Sequence, residues 1–216
     1  MIEENFKNIL KQIPQGIELV VASKARKVEE IEQVINAGAK ILGENYVKEA
    51  EDKYLKIGNK AKWHLIGHLQ KNKAKFAVKI FDMIETLDSL ELAKILDREC
   101  AKLNKIMPVL IEINSGEEPQ KAGILPKGLE NFLKEIAGLK NICPRGLMTM
   151  GPVVPNPEGI RPFFKITKDL FEQIKKLYPQ NSNWKYLSMG MSDSFKIAIE
   201  EGANIVRVGT AIFGSR

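Results

Sequence analysis

The chain has 216 residues, of which 44% are hydrophobic and 28% are charged, and its formal net charge is +6. This is the composition of an ordinary globular protein. Residues 1–7 lack the apolar core of a secretory signal, and no apolar run approaches the roughly 18 residues of a membrane span, so we expect a cytoplasmic protein that does not enter a membrane.

The two cysteines, Cys100 and Cys143, lie far apart and form no CxxC pair. Their spacing excludes a disulfide scaffold and a zinc site built on cysteine. We expect both to be buried thiols.

The positive charge comes from 27 Lys and only 6 Arg, and 7% of the residues are aromatic. Reading of base edges and stacking on bases favour Arg and aromatic side chains, so this distribution argues against a nucleic-acid partner. The densest basic stretch, Lys71–Lys79, follows Lys60 and Lys62. We interpret it as a solvated helix face.

Eight short apolar runs recur along the chain, and segments with helical periodicity separate them. This alternation predicts parallel strands joined by right-handed crossovers, and eight strands predict a closed (β/α)8 TIM barrel formed by residues 1–216 as a single domain. An open doubly wound sheet is the alternative. The predicted strands are Ile17–Val21, Lys40–Leu42, Trp63–Ile66, Met83–Thr86, Met107–Ile113, Gly146–Met150, Tyr186–Ser188 and Ile205–Val208.

The predicted helices lie between these strands, with an extra N-terminal helix before the first one. Residues 146–159, rich in Gly and Pro, are predicted to form the one long loop. The sequence contains neither a dinucleotide-binding glycine motif nor a P-loop. The predicted helices are Glu3–Gln12, Val28–Ala37, Tyr46–Ile57, Lys71–Val78, Ser89–Leu103, Lys127–Leu139, Pro162–Leu177 and Ser194–Glu200.

In a (β/α)8 barrel the chemistry lies at the C-terminal ends of the strands, where Lys24 follows the first strand. Alternation along that strand puts Lys24 on the same face as Val20 and Ala22. If this face is the barrel interior, partial desolvation frees the Lys24 amine as a nucleophile towards carbonyl groups. The alternative is a lysine that ends a strand in water.

The ends of strands seven and eight carry the groups of a phosphate site. Arg207 shares a face with Gly209, and the small residues Gly209 and Thr210 let backbone N–H groups approach a phosphate. Ser192 offers a hydroxyl group in the preceding loop. A turn with Ser192 as a helix N-cap explains that loop alone, but two adjacent loops with this chemistry favour the phosphate site.

A carbonyl-seeking lysine, a phosphate site and a buried arginine together suit pyridoxal phosphate, with the Schiff base on Lys24. If Arg207 faces the pyridine nitrogen, that nitrogen stays unprotonated and the ring is a weak electron sink. This points away from demanding carbanion chemistry. His64 and His68 lack the HExxH spacing and a third ligand, so no metal site is expected. We expect His64 to line the cofactor pocket or to be a satisfied core histidine.

Six segments of the chain, which together span nearly its whole length, carry a family resemblance. They are Val21–Lys24, Leu42–Val47, Trp63–Lys73, Gly146–Met150, Leu187–Ser192 and Val206–Gly214. On these segments the chain resembles the YggS/PROSC-type pyridoxal phosphate homeostasis proteins, which look like the barrel domain of alanine racemase standing alone. The last two segments are the most specific.

The resemblance implies that Lys24 holds pyridoxal phosphate as an aldimine and that Arg207 contacts the pyridine nitrogen. It also implies a carrier or regulator of vitamin B6 pools. Ser194 and Ala203 depart from the family pattern, which puts a helix-cap or loop contact in doubt but touches neither Lys24 nor Arg207. The other cofactor contacts implied are Asn45, His64 and Met189 at the ring, and Ser192, Gly209 and Thr210 at the phosphate.

Racemisation by two bases needs a second group on the ring face opposite the lysine, and alanine racemase takes it from a second domain of a partner subunit. The sequence ends directly after strand eight, so we expect no such domain. We therefore expect a monomeric, non-catalytic carrier that serves apo-forms of pyridoxal phosphate enzymes. The alternatives are a slow amino-acid racemase, with water or His64 as second base, and a cofactor-free Schiff-base aldolase that uses Lys24.

Overall fold

Eight parallel strands pair in sequence order, and the first strand pairs with the last, so the sheet closes into a barrel. The predicted (β/α)8 barrel is therefore confirmed. This computed structural model describes residues 1–178 and 184–215, while residues 179–183 and Arg216 lie outside the described part. The strands are β1 (Glu18–Ala22), β2 (Ile41–Glu44), β3 (Lys62–Leu65), β4 (Met83–Leu87), β5 (Met107–Glu112), β6 (Ile142–Met148), β7 (Tyr186–Ser188) and β8 (Ile205–Val208).

Helices cover the outside of the barrel between successive strands, each with an apolar stripe towards the sheet. The predicted extra helix precedes β1, and Asn5 Nδ2 donates from it to the carbonyl of Ile212 at 3.0 Å. Short 3₁₀ turns at Lys71–Lys73 and Pro126–Gly128 precede the fourth and sixth helices. The helices are α1 (Ile2–Lys11), α2 (Val28–Asn36), α3 (Val47–Ile57), α4 (Ala74–Ile80), α5 (Leu90–Ala101), α6 (Leu129–Ile136), α7 (Arg161–Leu177), α8 (Phe195–Glu200) and α9 (Thr210–Phe213).

Side chains alternate along the strands between two buried layers. Val21 and Val206, for example, belong to the layer between the strands and the helices. Val20 and Ile205 face the interior, so the face predicted for Lys24 and Arg207 is the interior face of the barrel. The barrel interior is filled by Val20, Ile41, Ile66, Met83, Leu110, Met148 and Ile205.

The sixth strand differs from its prediction at both ends. The sequence predicts a strand over Gly146–Met150, whereas β6 runs over Ile142–Met148. Pro144 and Arg145 interrupt the apolar pattern, and the pairing register with β5 passes from Pro144 directly to Gly146. A bulge at Arg145 therefore hides the first half of β6 from a search for regular alternation.

The prediction of one long loop over residues 146–159 is also wrong. Residues 146–148 belong to β6, so the loop begins at Thr149. A second long connection, residues 113–125, follows β5 and contains a bridge between Ile113 and Ile124. That bridge joins the two ends of the connection, whose residues 114–123 are mostly polar.

The expectation of two buried thiols holds only for Cys100. Cys143 is half-buried because it lines a surface pocket beside α6. Within residues 1–178 and 184–215, no helix is long and apolar enough to cross a membrane.

Candidate functional site

A cavity of about 450 Å³ opens where the segments after β1, β2, β7 and β8 meet. Its volume is typical of small-molecule sites. Three cationic side chains line it, Lys24, Arg26 and Arg207, and Asp193 is the one acid among the described lining residues. The cavity therefore suits an anionic ligand. The other predicted site residues that line it are Asn45, Ser192, Gly209 and Thr210.

Lys24 follows β1 and is half-buried at the rim of the cavity. Its Nζ lies 5.2 Å from the centre of the Tyr46 ring, a distance at which a cation and an aromatic face attract each other. Lys24 lines the cavity and Tyr46 is not among the described lining residues, so this contact leaves the lysine at the cavity wall. An amine in this position can react with a carbonyl group of a ligand bound there.

Arg207 forms the floor of the cavity and is only 3% exposed. Its guanidinium donates to Ser188 Oγ at 2.5 Å and to the Thr149 carbonyl at 2.8 Å. Burial lowers the pKa of Arg207, whereas the charges of Glu85 and Glu112 raise it. Since arginine stays protonated in proteins, the floor presents a fixed positive charge to the cavity.

Glu85 connects Arg207 with His64 across the barrel interior. Its Oε1 accepts from His64 Nδ1 at 2.7 Å, its Oε2 accepts from Ser188 Oγ at 2.6 Å, and Arg207 lies 3.8 Å away. Burial raises the pKa of this carboxyl, but the hydrogen bonds from His64 and Ser188 and the charge of Arg207 together bring the pKa below its usual value. The ionised carboxylate therefore holds the arginine in a fixed orientation.

The segments after β7 and β8 meet at Ser192, whose hydroxyl accepts from the N–H groups of Gly209 at 3.3 Å and Ala211 at 3.2 Å. A side chain at position 209 would not fit, because a Cβ there would lie 2.9 Å from the carbonyl oxygen of Ala22. The backbone N–H groups and the hydroxyls of Ser192 and Thr210 form a polar edge of the cavity that can hold an anion.

His64 and Met189 do not line this cavity in the described residues. His64 is 3% exposed and lies inside the barrel against Glu85. Met189 is fully buried in the apolar layer between strands and helices. The structure thus places six of the eight predicted cofactor residues around the cavity, and His64 and Met189 lie away from it.

The sequence analysis misses Arg26 and Glu85. Arg26 lies two residues after Lys24, lines the same cavity and donates to the carbonyl of Gly214. Its proximity to Lys24 in the sequence was an available signal. Glu85 is an isolated acid in an otherwise uncharged strand, and such a residue inside a core needs a partner.

A second cavity of about 570 Å³ adjoins the first, between the segments that follow β5 and β6. The two cavities share Met150, Met191 and Asp193. Glu112 lines the second one, and burial, helped by the charge of Asp88, raises the pKa of its carboxyl to about 7. Its Oε2 is buried and accepts no hydrogen bond from the residues that the structure describes. In the same part of the chain, no group of three or more metal-ligating side chains could hold a metal ion.

Residues 1–216 match the family described as alanine racemase, N-terminal domain. The chain belongs to this family. A pyridoxal phosphate homeostasis protein of Aquifex aeolicus is 38% identical over 224 residues, which cover 99% of this chain and 97% of that protein. The resemblance drawn from the sequence is therefore confirmed.

Solved structures of the family share the barrel. PipY of Synechococcus elongatus, solved with pyridoxal phosphate bound, is 32% identical to this chain, with a TM-score of 0.91. The match covers 99% of this chain and 100% of PipY. An alanine racemase of Clostridium difficile has 17% identity and a TM-score of 0.79, and the match covers 56% of its chain. The racemase shows the shared fold alone.

Proposed function

We propose that this chain binds pyridoxal phosphate at the barrel mouth, with Lys24 Nζ as the covalent attachment point, and acts in vitamin B6 homeostasis as a carrier or regulator. The observation that carries the proposal is one cavity that joins Lys24, Arg207 and the polar edge at Ser192. The homeostasis protein of Aquifex aeolicus and PipY with its bound cofactor support it.

The residues present fit this cofactor in charge and in chemistry. The positive charges of Lys24, Arg26 and Arg207 complement the net negative charge of the cofactor, and Lys24 is the one primary amine among the described residues that line the cavity. The missing side chain at Gly209 lets the backbone pack against Ala22, and the Gly209 N–H there donates to Ser192 at the polar edge. An aldehyde with a phosphate group therefore meets both of its needs in this cavity.

The roles follow from position. We assign the phosphate to Ser192, Gly209 and Thr210, and the ring to Asn45 and Arg207. When bound, the cofactor supplies an aldehyde for amines and an electron-withdrawing ring. The Arg207 guanidinium stays charged and only donates hydrogen bonds, so it cannot accept one from a protonated ring nitrogen and does not keep that nitrogen protonated.

We assign indirect roles to His64 and Met189, because neither lines the described cavity. His64 orients the Glu85 carboxylate, which in turn holds Arg207 through Ser188 and through its charge. Met189 fills the apolar layer that fixes β7 against the helices. Both support the cavity without contact to its contents.

We further propose that the protein is a single-domain cytoplasmic monomer without catalytic turnover, and that apo-forms of pyridoxal phosphate enzymes receive the cofactor. The racemase alternative needs a second base beside Lys24. His64 is 3% exposed and engaged by Glu85, which disfavours it in that role. The aldolase alternative, in which Lys24 attacks the carbonyl group of a sugar phosphate, would use the same cations, but the homeostasis protein of Aquifex aeolicus and PipY with its bound cofactor favour pyridoxal phosphate as the ligand.

The test is titration of the purified protein with pyridoxal phosphate, followed by visible absorption and equilibrium dialysis. We expect a visible band in wild type, and in Lys24→Ala no band and a dissociation constant at least about tenfold higher, because the covalent link is lost. Lys48→Ala is the control, since Lys48 is 72% exposed on α3. Neither wild type nor Lys24→Ala should exchange the α-hydrogen of alanine with D₂O. A band of wild-type strength in Lys24→Ala would refute the proposal.

A further inference from the structure

Behind Lys24 lies a buried ion cluster that the proposed roles do not use. Lys53 Nζ on α3 contacts Glu44 Oε1 at the end of β2 at 2.6 Å and Glu49 Oε1 on its own helix at 2.7 Å. The exposed fractions of these side chains are 7% for Lys53, 0% for Glu44 and 27% for Glu49. We call these three residues the Lys53 cluster.

The Lys53 cluster holds the backbone on both sides of Lys24. Lys53 Nζ donates to the carbonyl oxygen of Ser23 at 2.7 Å, and the Ser23 hydroxyl donates to Glu44 Oε1 at 2.7 Å. On the other side, the N–H of Ala25 donates to Glu49 Oε1 at 2.5 Å. The two peptide neighbours of Lys24 are thus tied to one ammonium group and its two carboxylates.

The backbone at this point departs from ordinary strand geometry. Ala25 has a φ of +58°, in the left-handed region that a residue with a Cβ adopts only at a cost. Such a conformation persists when its surroundings over-determine it. The bond from the Ala25 N–H to Glu49 is one of these determinants, and it turns the chain directly after Lys24.

Fold stability alone is a poor explanation for the Lys53 cluster. Desolvation of a buried ion pair offsets most of its attraction, and an apolar replacement of similar volume is often neutral or stabilising. Burial raises the pKa of Glu44, while Lys53 and Ser23 lower it in part. Its second oxygen, Oε2, is buried without a hydrogen-bond partner among residues 1–178 and 184–215. Because burial of these charged groups costs free energy, a local role near Lys24 explains the Lys53 cluster better than overall stability does.

We propose that Lys53 is a positioning residue that sets the place and direction of Lys24 at the cavity rim, acting through the backbone of Ser23 and Ala25. This inference rests on the proposed attachment of the cofactor to Lys24. Lys53 does not itself line the described cavity. Without Lys53, the Lys24 amine is chemically unchanged, but the turn that carries it relaxes. A small displacement of a reacting group lowers its reactivity strongly.

The test compares variants of the intact chain. Lys53→Met removes the ammonium group and keeps most of the apolar stem, while Lys53→Arg keeps the charge. Glu49→Gln removes only the charge that holds the Ala25 N–H, and it serves if Lys53→Met fails to fold. Lys48→Met, on the exposed face of the same helix, is the matched control.

A stability control comes from the opposite end of the barrel. Asp97 on α5 accepts from the Asn141 N–H at 2.6 Å just before β6 begins, so Asp97→Ala lowers the melting temperature without touching the cavity. The readouts are the dissociation constant for pyridoxal phosphate, the visible circular dichroism per bound cofactor, and the melting temperature of the unloaded protein.

We expect Lys53→Met to raise the dissociation constant about tenfold or more and to weaken the visible circular dichroism, because the amine loses its fixed direction. Glu49→Gln should show a smaller change in the same direction. Lys53→Arg should raise the dissociation constant less than Lys53→Met does. Lys48→Met and Asp97→Ala should bind as wild type does. Equal binding and dichroism in wild type and Lys53→Met, or equal weakening in an Asp97→Ala protein of matched melting temperature, would overturn the inference.

The two proposals fail in different ways. If neither wild type nor Lys48→Met binds the cofactor, the proposed function fails and the inference fails with it. If both bind it and Lys53→Met binds it equally well, only the positioning role of Lys53 fails.

Discussion

Glu85 shows how a single side chain connects sequence to site. It is fully buried in β4 and meets His64 of β3 and Ser188 of β7. The isolated acid is visible in the sequence, but its partners come from two other strands, and one of them, Ser188, lies 103 residues away along the chain. By contrast, Lys24 and Arg207 can be selected from the sequence, because each lies at or just after a predicted strand and alternation along the strand gives the neighbours that share its face.

Met189 shows the limit of motif matching at the same scale. The family segment contains it, but it directly follows Ser188, whose side chain points into the barrel towards Glu85. Alternation then turns Met189 outward, where it packs between strand and helices. The alternation of side chains along β7 therefore predicts the position of Met189 better than the family motif does.

Glu112 makes stability depend on pH. Burial raises its pKa from 4.5 to about 7, so the folded chain retains a proton that the unfolded chain releases. The stabilisation is fully present below about pH 4.5 and is lost as the pH rises to about 7, up to about 3 kcal/mol in total. We therefore expect Glu112→Gln to lose less stability than wild type between pH 4.5 and pH 8, as measured by urea unfolding.

The control for this prediction is Glu135→Gln, a change at an exposed glutamate of α6. Its pH dependence should follow that of wild type. Parallel curves for wild type and Glu112→Gln would show that Glu112 titrates normally.

At the scale of elements, the pairing of β6 with β7 depends on a glycine. Gly146 has a φ of +155°, and a Cβ there would lie 1.7 Å from the carbonyl oxygen of Tyr186 on β7. Gly146→Ala must push β7 away, so we expect the free energy of unfolding in urea to fall by about 3 kcal/mol or more.

Gly138→Ala is the matched control, because a Cβ at Gly138 meets nothing within 4 Å. It should change stability by less than about 1 kcal/mol. If Gly146→Ala is as stable as this control, the close approach of β6 and β7 is not present in solution.

Most elements could be predicted from periodicity, since the strands β7 and β8 match their predicted bounds and the helices begin or end within a few residues of theirs. The start of β6 could not, because Pro144 and the skipped Arg145 break the alternation that marks a strand. The loop over residues 113–125 was missed as well, although the polar residues 114–123, with Gly116, Pro119 and Gly123 among them, were a signal for it. The sequence does not show that Ile113 and Ile124, at its two ends, form a bridge.

At the scale of the molecule, closure of the barrel creates the site. Val20 pairs with Arg207 across the β1–β8 seam, which brings the first and last strands to one cavity. The number and alternation of strands predict this closure. The sequence does not predict the second cavity or the Lys53 cluster, because both depend on how loops and helix α3 pack after the barrel has formed.

The central claim is that one lysine at the barrel mouth takes pyridoxal phosphate. The most direct measurement is borohydride fixation of the loaded protein followed by peptide mass mapping. We expect one adduct per chain, on Lys24, at stoichiometric cofactor. Adducts spread over exposed lysines, such as those of Lys71–Lys79, or no adduct at all, would contradict the account.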